Sequence, residues 1–504
     1  MICLTLTRPT LSEALDDLRR NLQWIDLAEL RADRLQEPDA EVVARAPAEI
    51  ARVAGDGAAP ACILTVRRPA DGGSWAGSEE DRLRFIEHAL ADGGFDYVDL
   101  ELDLAGTDAG DRLRRQALAA GTRVIRSVHD FDGMPADLGE LYGRLGARRE
   151  EIPKIAVTPK GSADLDALVA LLLDGGPRER IIIGMGPAGF PTRVAAPRLG
   201  GFLSYASADT NPDVVAAPGH VTPEILVDTY RYREQRPETV VFGIIGNPVL
   251  HSASPAYHNA QFREKNLNAV YIPFEVDDLD AFFRTAERLG VRGLSVTVPH
   301  KEAVIAYLDE TEESVVPVGA CNTVLDTGGR RRGLNTDVPG FMLPLERAIG
   351  ASGPEAFDGM RATVIGAGGA ARAVVFGLLG AGVRICIVNR TPERAERMGA
   401  EIADALGAER PTVAPLDASS VPLIEENAAL IVQTTSVGME PNVSEDPLSF
   451  YEFRGHEIAY DLVYAPEQTR FLTRAAAAGC LTVSGRRMFE EQALAQASYF
   501  EHIV

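Results

Sequence analysis

Cysteine is scarce in this sequence, and its scarcity excludes two common kinds of structural support. The five cysteines among 504 residues are scattered, odd in number and never arranged as Cys-x-x-Cys. A disulfide framework and a zinc site are therefore not expected, and we predict a cytoplasmic protein with reduced thiols and no bound metal. The opening segment MICLTLTRPT also lacks the basic and apolar regions of a secretory signal.

Long apolar runs and an excess of positive charge are missing as well. No stretch approaches the ~18 consecutive apolar residues of a membrane-spanning helix. Lysine and arginine number 50 against 73 aspartates and glutamates, which gives a formal net charge of -23. Such acidity argues against a general binder of nucleic acid or of anionic membranes. It does not prevent a local basic pocket from holding a small anionic metabolite.

The residues that are present indicate a large α/β protein. The first half alternates short β-rich runs with helical patterns, and eight such units over roughly 230 residues are typical of a (β/α)8 barrel. The predicted strands lie in ICLTLT, DLAELRAD, ACILTVR, FDYVDLEL, TRVIRSVHD, PKIAVTP, RIIIGMG and GFLSYA. A barrel carries its chemistry at the C-terminal ends of its strands. The polar residues at those ends are Glu29, Arg31, Arg67, Glu101, His129 and Lys154.

A charged, proline-containing stretch from Arg231 to Thr239 marks a break, after which the strand VVFGIIG begins a new domain. We predict the barrel over residues 1–236 and a two-lobed α/β unit over 237–504. The latter comprises a substrate lobe, 237–343 with helices at about 471–504, and a Rossmann lobe at about 344–470.

A glycine-rich turn, GAGGAARA, follows the apolar strand ATVI and opens a helix. Glycine there permits a tight turn and the close approach of a pyrophosphate to the helix N-terminus. The next strand ends in Asn-Arg-Thr, where NAD-specific folds usually have an acidic residue. Guanidinium groups suit a 2′-phosphate, so the pattern favours NADP over NAD and over a turn that binds no nucleotide. The candidate cofactor contacts are Gly366, Ala367, Gly368, Gly369, Ala370, Ala371, Asn389, Arg390, Thr391 and Arg394.

A series of polar motifs runs from Val240 to the C-terminus: GNPVLHSASPAYHNAQF, SVTVPHKE, GACNTV, GLNTDVPGF, QTTSVGM, YDLVYAPEQT and GRRMFEEQA. Together they resemble the shikimate dehydrogenase family. The resemblance implies reduction of 3-dehydroshikimate to shikimate with NADPH, and Lys301 with Asp337 as the catalytic pair. It implies substrate contacts from Ser252, Ser254, Thr297, Asn322, Tyr464 and Gln492, and further cofactor contacts from Thr435 and Gly485. Ser295 stands where many members have asparagine.

The Lys301–Asp337 pair also makes chemical sense without the resemblance. Carbonyl reduction by NADPH needs a proton donor beside an aligned hydride, and a charge-paired lysine can serve as that donor.

A second set of motifs, ELRAD, TVRRPADGG, SVHDF, PKIAVTP and GMGPAGFPTR, lies in the barrel. They resemble the type I 3-dehydroquinate dehydratases. The resemblance implies an imine on Lys154, proton transfer by His129, and substrate contacts from Glu29, Arg31, Arg67 and Arg193. Three positions depart from the family: Asp71 replaces a glutamate, and the lid has Ala216 and His220 in place of serine and glutamine. We expect His220 to contact substrate and the changed lid to alter affinity.

The implied dehydration follows from the residue chemistry. A partly desolvated lysine beside cationic groups is nucleophilic and adds to a ketone, and the resulting iminium acidifies the neighbouring C–H bond. A histidine with a pKa near neutrality is expected to take that proton and return one to the departing hydroxide.

The two implied reactions are consecutive, which supports a bifunctional enzyme, but three alternatives remain. The first is a quinate or quinate/shikimate dehydrogenase, which the serine pair and the Asn-Arg-Thr signature disfavour. The second is an inactive sensor or repressor built on the same folds, which the retained lysines disfavour. The third, favoured by the altered lid, is a protein in which only the dehydrogenase is fully active.

Overall fold

The computed structural model describes residues 1–91, 93–174, 176, 178–209, 219 and 221–504. The predicted lid residues Ala216 and His220 lie outside the described residues. The chain forms two compact units, one of residues 1–244 and 248–291 and one of residues 245–247 and 292–504. Within the described ranges, no helix combines the length and the apolar character that crossing a bilayer requires.

The first unit contains the predicted barrel, and all eight strand predictions are confirmed. The strands are parallel and follow the order β7-β6-β5-β4-β3-β2-β1-β8, which gives a nearly closed barrel. Apolar side chains including those of Leu27, Ile63 and Ile125 form a core layer inside it. The strands are β1 (Ile2–Leu6), β2 (Leu27–Arg31), β3 (Ala61–Thr65), β4 (Tyr97–Glu101), β5 (Arg123–Asp130), β6 (Ile152–Val157), β7 (Ile181–Gly184) and β8 (Ser204–Ser207).

Helices connect these strands, and several begin at side chains that cap free backbone N–H groups. Thr10, Ser78 and Thr107 cap in this way. The helices are α1 (Leu11–Asn21), α2 (Ala40–Ala44), α3 (Ala46–Ala54), α4 (Glu79–Ala89), α5 (Asp108–Ala119), α6 (Leu138–Leu145), α7 (Ser162–Asp174) and α8 (Gly186–Val194). After the barrel come β9 (Val240–Gly246), α9 (Ser254–Glu264), β10 (Ala269–Glu275) and α10 (Leu279–Leu289).

The second unit contains the strands β11, β13, β14 and β12, adjacent in that order, and a separate parallel sheet. Its strands are β11 (Val291–Val296), β12 (Glu310–Thr311), β13 (Thr323–Asp326), β14 (Arg331–Leu334), β15 (Arg361–Ile365), β16 (Arg384–Asn389), β17 (Thr412–Pro415), β18 (Leu430–Gln433), β19 (Ile458–Asp461) and β20 (Leu481–Val483). The order β17-β16-β15-β18-β19-β20 is that of a Rossmann fold. The predicted fold class is therefore confirmed.

The helices of this unit place the C-terminus of the chain against its middle. They are α11 (Val315–Val318), α12 (Asp337–Ile349), α13 (Gly369–Gly380), α14 (Pro392–Leu406), α15 (Val421–Glu426), α16 (Arg470–Ala477) and α17 (Gly485–Glu501). Helix α17 packs along α12, whereas α16 packs on β19 and β20 of the Rossmann sheet. A Cβ atom at Gly340 would lie 2.9 Å from the Cβ of Gln492, so glycine allows the two helices to approach closely. The predicted domain boundaries stay predictions.

Candidate active sites

The barrel strands converge on one pocket at their C-terminal ends. Side chains two residues apart on a strand point to the same face, which brings residues of several strands inward together. The pocket gathers all six described residues that were predicted for the dehydratase: Glu29, Arg31, Arg67, His129, Lys154 and Arg193.

A buried carboxylate that the sequence analysis missed, Asp99, organises this pocket. Its Oδ2 accepts a hydrogen bond from Lys154 Nζ at 2.8 Å and pairs with Arg67 Nη2 at 2.9 Å. Its Oδ1 accepts from Ser127 Oγ at 2.5 Å. Burial disfavours the charged carboxylate, but Arg67 and Lys154 hold the pKa of Asp99 well below its ordinary value. Asp99 is therefore an anion shared by two cations.

The side chain of Lys154 is only 4% exposed. Its Nζ also lies 3.8 Å from Glu29 Oε1 and 4.3 Å from the ring centroid of Tyr205. Glu29 in turn accepts a hydrogen bond from Thr65 Oγ1 at 2.8 Å. The amino group is thus held between carboxylates and an aromatic face inside the pocket, where it can meet a bound ketone.

His129 accepts a hydrogen bond from Arg67, because Nη1 lies 2.9 Å from Nδ1 and a guanidinium only donates. Burial, together with the positive charges of Arg67 and Lys154, lowers the pKa of His129 well below its ordinary value. The expectation of a pKa near neutrality is therefore wrong: burial and two cations disfavour the imidazolium. His129 is neutral at physiological pH, and its Nδ1 lone pair becomes available only when Arg67 turns elsewhere.

Arg31 and Arg193 also line the pocket, and Asp71 directly precedes Gly72 of its lining. Arg31 makes two 2.8 Å hydrogen bonds to Asp33. Arg193 is 1% exposed, and its burial lowers the pKa of its guanidinium. Asp71, where the family has glutamate, pairs with Arg68 at 2.5 Å.

The second unit brings together four of the residues predicted for the dehydrogenase. Lys301 Nζ lies 2.5 Å from Asp337 Oδ2. Asn322 Nδ2 donates to Asp337 Oδ1 at 2.8 Å and to Gln492 Oε1 at 3.1 Å. The lysine side chain is 13% exposed and the aspartate 3%, so the pair is partly shielded and still reachable. This is an acid–base pair whose carboxylate is oriented by an amide.

A buried glutamine, Gln496, supports this cluster and was also missed. Its Nε2 donates to Thr323 Oγ1 at 2.8 Å and to Asn322 O at 3.2 Å. Its Oε1 accepts from Ser295 Oγ at 2.8 Å, so the serine that departs from the family is satisfied here. Gln496 lies one helical turn after Gln492, and this spacing was the available signal.

The other predicted substrate contacts lie at element ends. Ser252 Oγ accepts the backbone N–H of Ser254 at 3.2 Å at the start of α9, in the first unit. Thr297 follows β11 and donates its N–H to Ile245 O. The ring of Tyr464 packs 5.1 Å from that of Phe489.

The glycine-rich turn has the geometry that a dinucleotide requires. Gly366 has a φ of +113°, and a Cβ there would lie 2.6 Å from Thr434 Oγ1. Gly368 precedes α13 and faces open space, so a pyrophosphate can approach its backbone. A Cβ at Gly369 would lie 3.0 Å from the Cβ of Lys301, which places the lysine stem against the turn.

The remaining predicted cofactor residues lie in the same unit, most of them in or beside this turn. Ala367 lies in the glycine-rich turn, and Ala370 and Ala371 lie at the start of α13. Thr435 lies beside Gly366, because a Cβ atom built on that glycine would be 3.0 Å from Thr435 Cγ2. Gly485 begins α17, and a Cβ there would lie 2.3 Å from Leu462 O.

The end of β16 presents the predicted 2′-phosphate contacts. Asn389 Nδ2 donates to Thr391 O at 2.8 Å, which orders the turn. Arg390 is exposed. Arg394 donates to Glu302 Oε1 at 3.2 Å, and both side chains are about half exposed. A weak surface pair of this kind leaves Arg394 able to exchange its partner for a phosphate.

Comparison with known families covers both halves of the chain. Residues 2–237 match the type I 3-dehydroquinase family, residues 244–324 match the shikimate dehydrogenase substrate binding domain, and residues 350–439 match the shikimate/quinate 5-dehydrogenase family. The bifunctional 3-dehydroquinate dehydratase/shikimate dehydrogenase of Arabidopsis thaliana, a chloroplastic protein, is 34% identical over 450 residues. That match covers 87% of this chain and 72% of the relative.

Relatives of the second half alone are also similar. The NADP(+) shikimate dehydrogenase of Moorella thermoacetica is 43% identical over 262 residues, covering 51% of this chain and 86% of the relative. A crystal structure of the Thermus thermophilus shikimate 5-dehydrogenase with NADP(H) and shikimate matches at 34% identity with a TM-score of 0.43. It covers 53% of this chain and 94% of that chain. With a lyase-type barrel followed by a dehydrogenase, the chain belongs to the family of bifunctional 3-dehydroquinate dehydratase/shikimate dehydrogenases.

Proposed function

We propose that Lys154 is the dehydratase nucleophile and that His129 transfers the protons. The observation that carries the proposal is that both residues line one pocket. In that pocket Lys154 is buried against Asp99 and Glu29, and His129 contacts Arg67. Lys154 gives up a proton, adds to the ketone of 3-dehydroquinate and, with loss of water, forms an iminium. Glu29, whose Oε1 lies 3.8 Å from Lys154 Nζ, can take the proton that Lys154 loses and return it to the hydroxyl that leaves as water.

The iminium draws electrons from the adjacent carbon, and His129 takes the proton released there. For this step Arg67 must give up its hydrogen bond to Nδ1 of His129. We propose that Arg67 turns to contact the substrate instead. The protonated imidazole then returns its proton to the departing hydroxide, and water releases 3-dehydroshikimate from Lys154. Arg193 and Arg31 are proposed to hold the substrate, and Glu29 to orient both substrate and lysine.

In the second site we propose that Lys301 gives a proton to the carbonyl oxygen of 3-dehydroshikimate. Asp337 stabilises the ammonium, and Asn322 and Gln492 orient the pair and bind hydroxyls, together with Thr297 and Tyr464. NADPH, when bound, supplies the hydride. The turn at Gly366–Gly369 suits its pyrophosphate, and Arg390 and Arg394 suit its 2′-phosphate.

The name of the Moorella relative, which specifies NADP(+), supports this choice of cofactor. We also propose a cytoplasmic enzyme without nucleic-acid or membrane partners. The net charge of -23 and the five free, buried cysteines support this proposal.

Borohydride reduction tests the role of Lys154. Added during turnover of 3-dehydroquinate, it should leave a stable adduct on Lys154, seen by peptide mass, and Lys154→Ala should show neither adduct nor dehydration. Lys160→Ala, at an exposed lysine of the same barrel, is the matched control and should behave as wild type. Normal dehydration by a folded Lys154→Ala protein would refute the imine.

The pH dependence of dehydration tests the environment of His129. A general base works only when it is unprotonated, so a lowered pKa keeps it active to lower pH. The acid limb of kcat/KM, which reports the free enzyme, should therefore lie below pH ~6.5, the ordinary value for histidine. An acid limb at or above that value would contradict the buried, neutral histidine.

Cofactor preference tests Arg390 and Arg394. Each lost charged contact to a 2′-phosphate should cost about 1.5–3 kcal/mol. Changing both residues to glutamine should therefore raise the KM for NADPH far more than the KM for NADH. Arg397→Gln, at an exposed arginine on the same helix, is the control and should change neither. Equal effects of the double change on both cofactors would show that these arginines do not discriminate.

A further inference from the structure

The segment Arg231–Thr239, which the sequence marks as a domain break, is not a free linker. Its charged residues such as Arg236 are exposed, but Arg231 and Gln235 are each 6% exposed and Thr239 is 3% exposed. We call this segment the strap. Its buried residues bond to elements on either side of it in the sequence.

The N-terminal end of the strap is hydrogen-bonded to the start of β10 and to the residues just before it. Arg231 Nη1 donates to Leu267 O at 2.7 Å and to Ala269 O at 3.0 Å. Arg231 has a φ of +53°, a conformation that costs a non-glycine residue free energy. These buried hydrogen bonds compensate for that cost, so the path of the strap is fixed at this point.

The strap also contacts α8, the helix that carries Arg193. Gln235 Nε2 donates to Val194 O and to Tyr230 O, both at 2.8 Å. Val194 is the last residue of α8 and follows Arg193 directly. The last carbonyls of a helix have no partner within it, so Gln235 supplies one from the strap.

Helix α8 needs such external support. It has nine residues, fewer than an isolated helix needs for stability, and Pro191 inside it removes one backbone donor. Nearly all of its residues are buried, and it packs on β10 as well as on β7. The ring of Phe190 also packs edge-on against that of Tyr230, just before the strap, with centroids 5.7 Å apart.

We propose that Gln235 is a positioning residue of the dehydratase. By holding the end of α8 through Val194 O, it sets where the buried guanidinium of Arg193 enters the pocket that contains Lys154. The strap is then part of the dehydratase's substrate-binding apparatus, although it lies at the predicted domain break. This inference rests on the proposed role of Arg193 in binding the substrate.

Steady-state kinetics of the full-length protein test the proposal. Gln235→Met keeps the side chain's size but removes the donor. It should raise the dehydratase KM by about two- to tenfold, the equivalent of one lost hydrogen bond, and leave kcat and both dehydrogenase constants within about twofold. Arg236→Met, at the exposed neighbour, should change nothing. If Gln235→Met does not fold, Gln235→Asn, whose amide is one methylene too short, is measured instead.

A third variant distinguishes the role of Arg193 in binding the substrate from the role of Gln235 in positioning Arg193. Arg193→Met should raise the KM more than Gln235→Met does. If Arg193→Met leaves the KM unchanged, the proposed role of Arg193 fails. Two results would overturn the positioning role of Gln235 if Arg193→Met does raise the KM. In the first, Gln235→Met has wild-type kinetics. In the second, Gln235→Met lowers kcat at constant KM, as a smaller folded fraction would.

Discussion

A lysine paired with a buried carboxylate lies at the centre of each active site. Removing an ammonium from water costs several kcal/mol, and a close carboxylate is needed to offset that cost. Asp99 does so for Lys154 and Asp337 does so for Lys301. In the barrel the constraint is stricter, because Asp99 also serves Arg67 and is itself held by Ser127.

Other buried charged groups in the barrel wall are also paired with opposite charges, and together they form a network. Arg67 lies 3.9 Å from Glu101, and Glu101 accepts hydrogen bonds from the fully buried Arg82. Arg126 forms a separate buried pair with Glu151. Each group in such a network is fixed by the charge of its neighbours. The network therefore orients the residues proposed to be catalytic, and it also makes the loss of any single partner costly.

The sequence predicted the fold and named most of the residues that the structure brings together in the two candidate sites, because both leave local signals. The barrel strands show as short β-rich runs, and the nucleotide turn shows as glycines where Gly366 has positive φ. The motif residue Lys301 lies in the loop after β11, whereas Lys154 lies within β6 and not at its predicted end. Asp99 was missed although it precedes Glu101 by two residues and so shares its face of the strand.

Other features depend on tertiary contacts and leave no such signal. The lowered pKa of His129 arises from burial and from cations on other strands. The strap looks like a linker because its exposed residues are charged, whereas its function depends on Arg231 and Gln235 reaching residues 36 and 41 positions away.

The measurement that tests this account most directly is the activity of Asp99→Asn in both reactions. The change keeps the shape but removes the charge that Lys154 and Arg67 share. Dehydratase kcat should fall on the order of 100-fold, because misplaced catalytic groups lose about that much, and shikimate oxidation should be unchanged. The control Asp103→Asn, at an exposed aspartate paired with Arg68, should spare both reactions. A folded Asp99→Asn protein with wild-type dehydration would contradict the central role of the shared carboxylate.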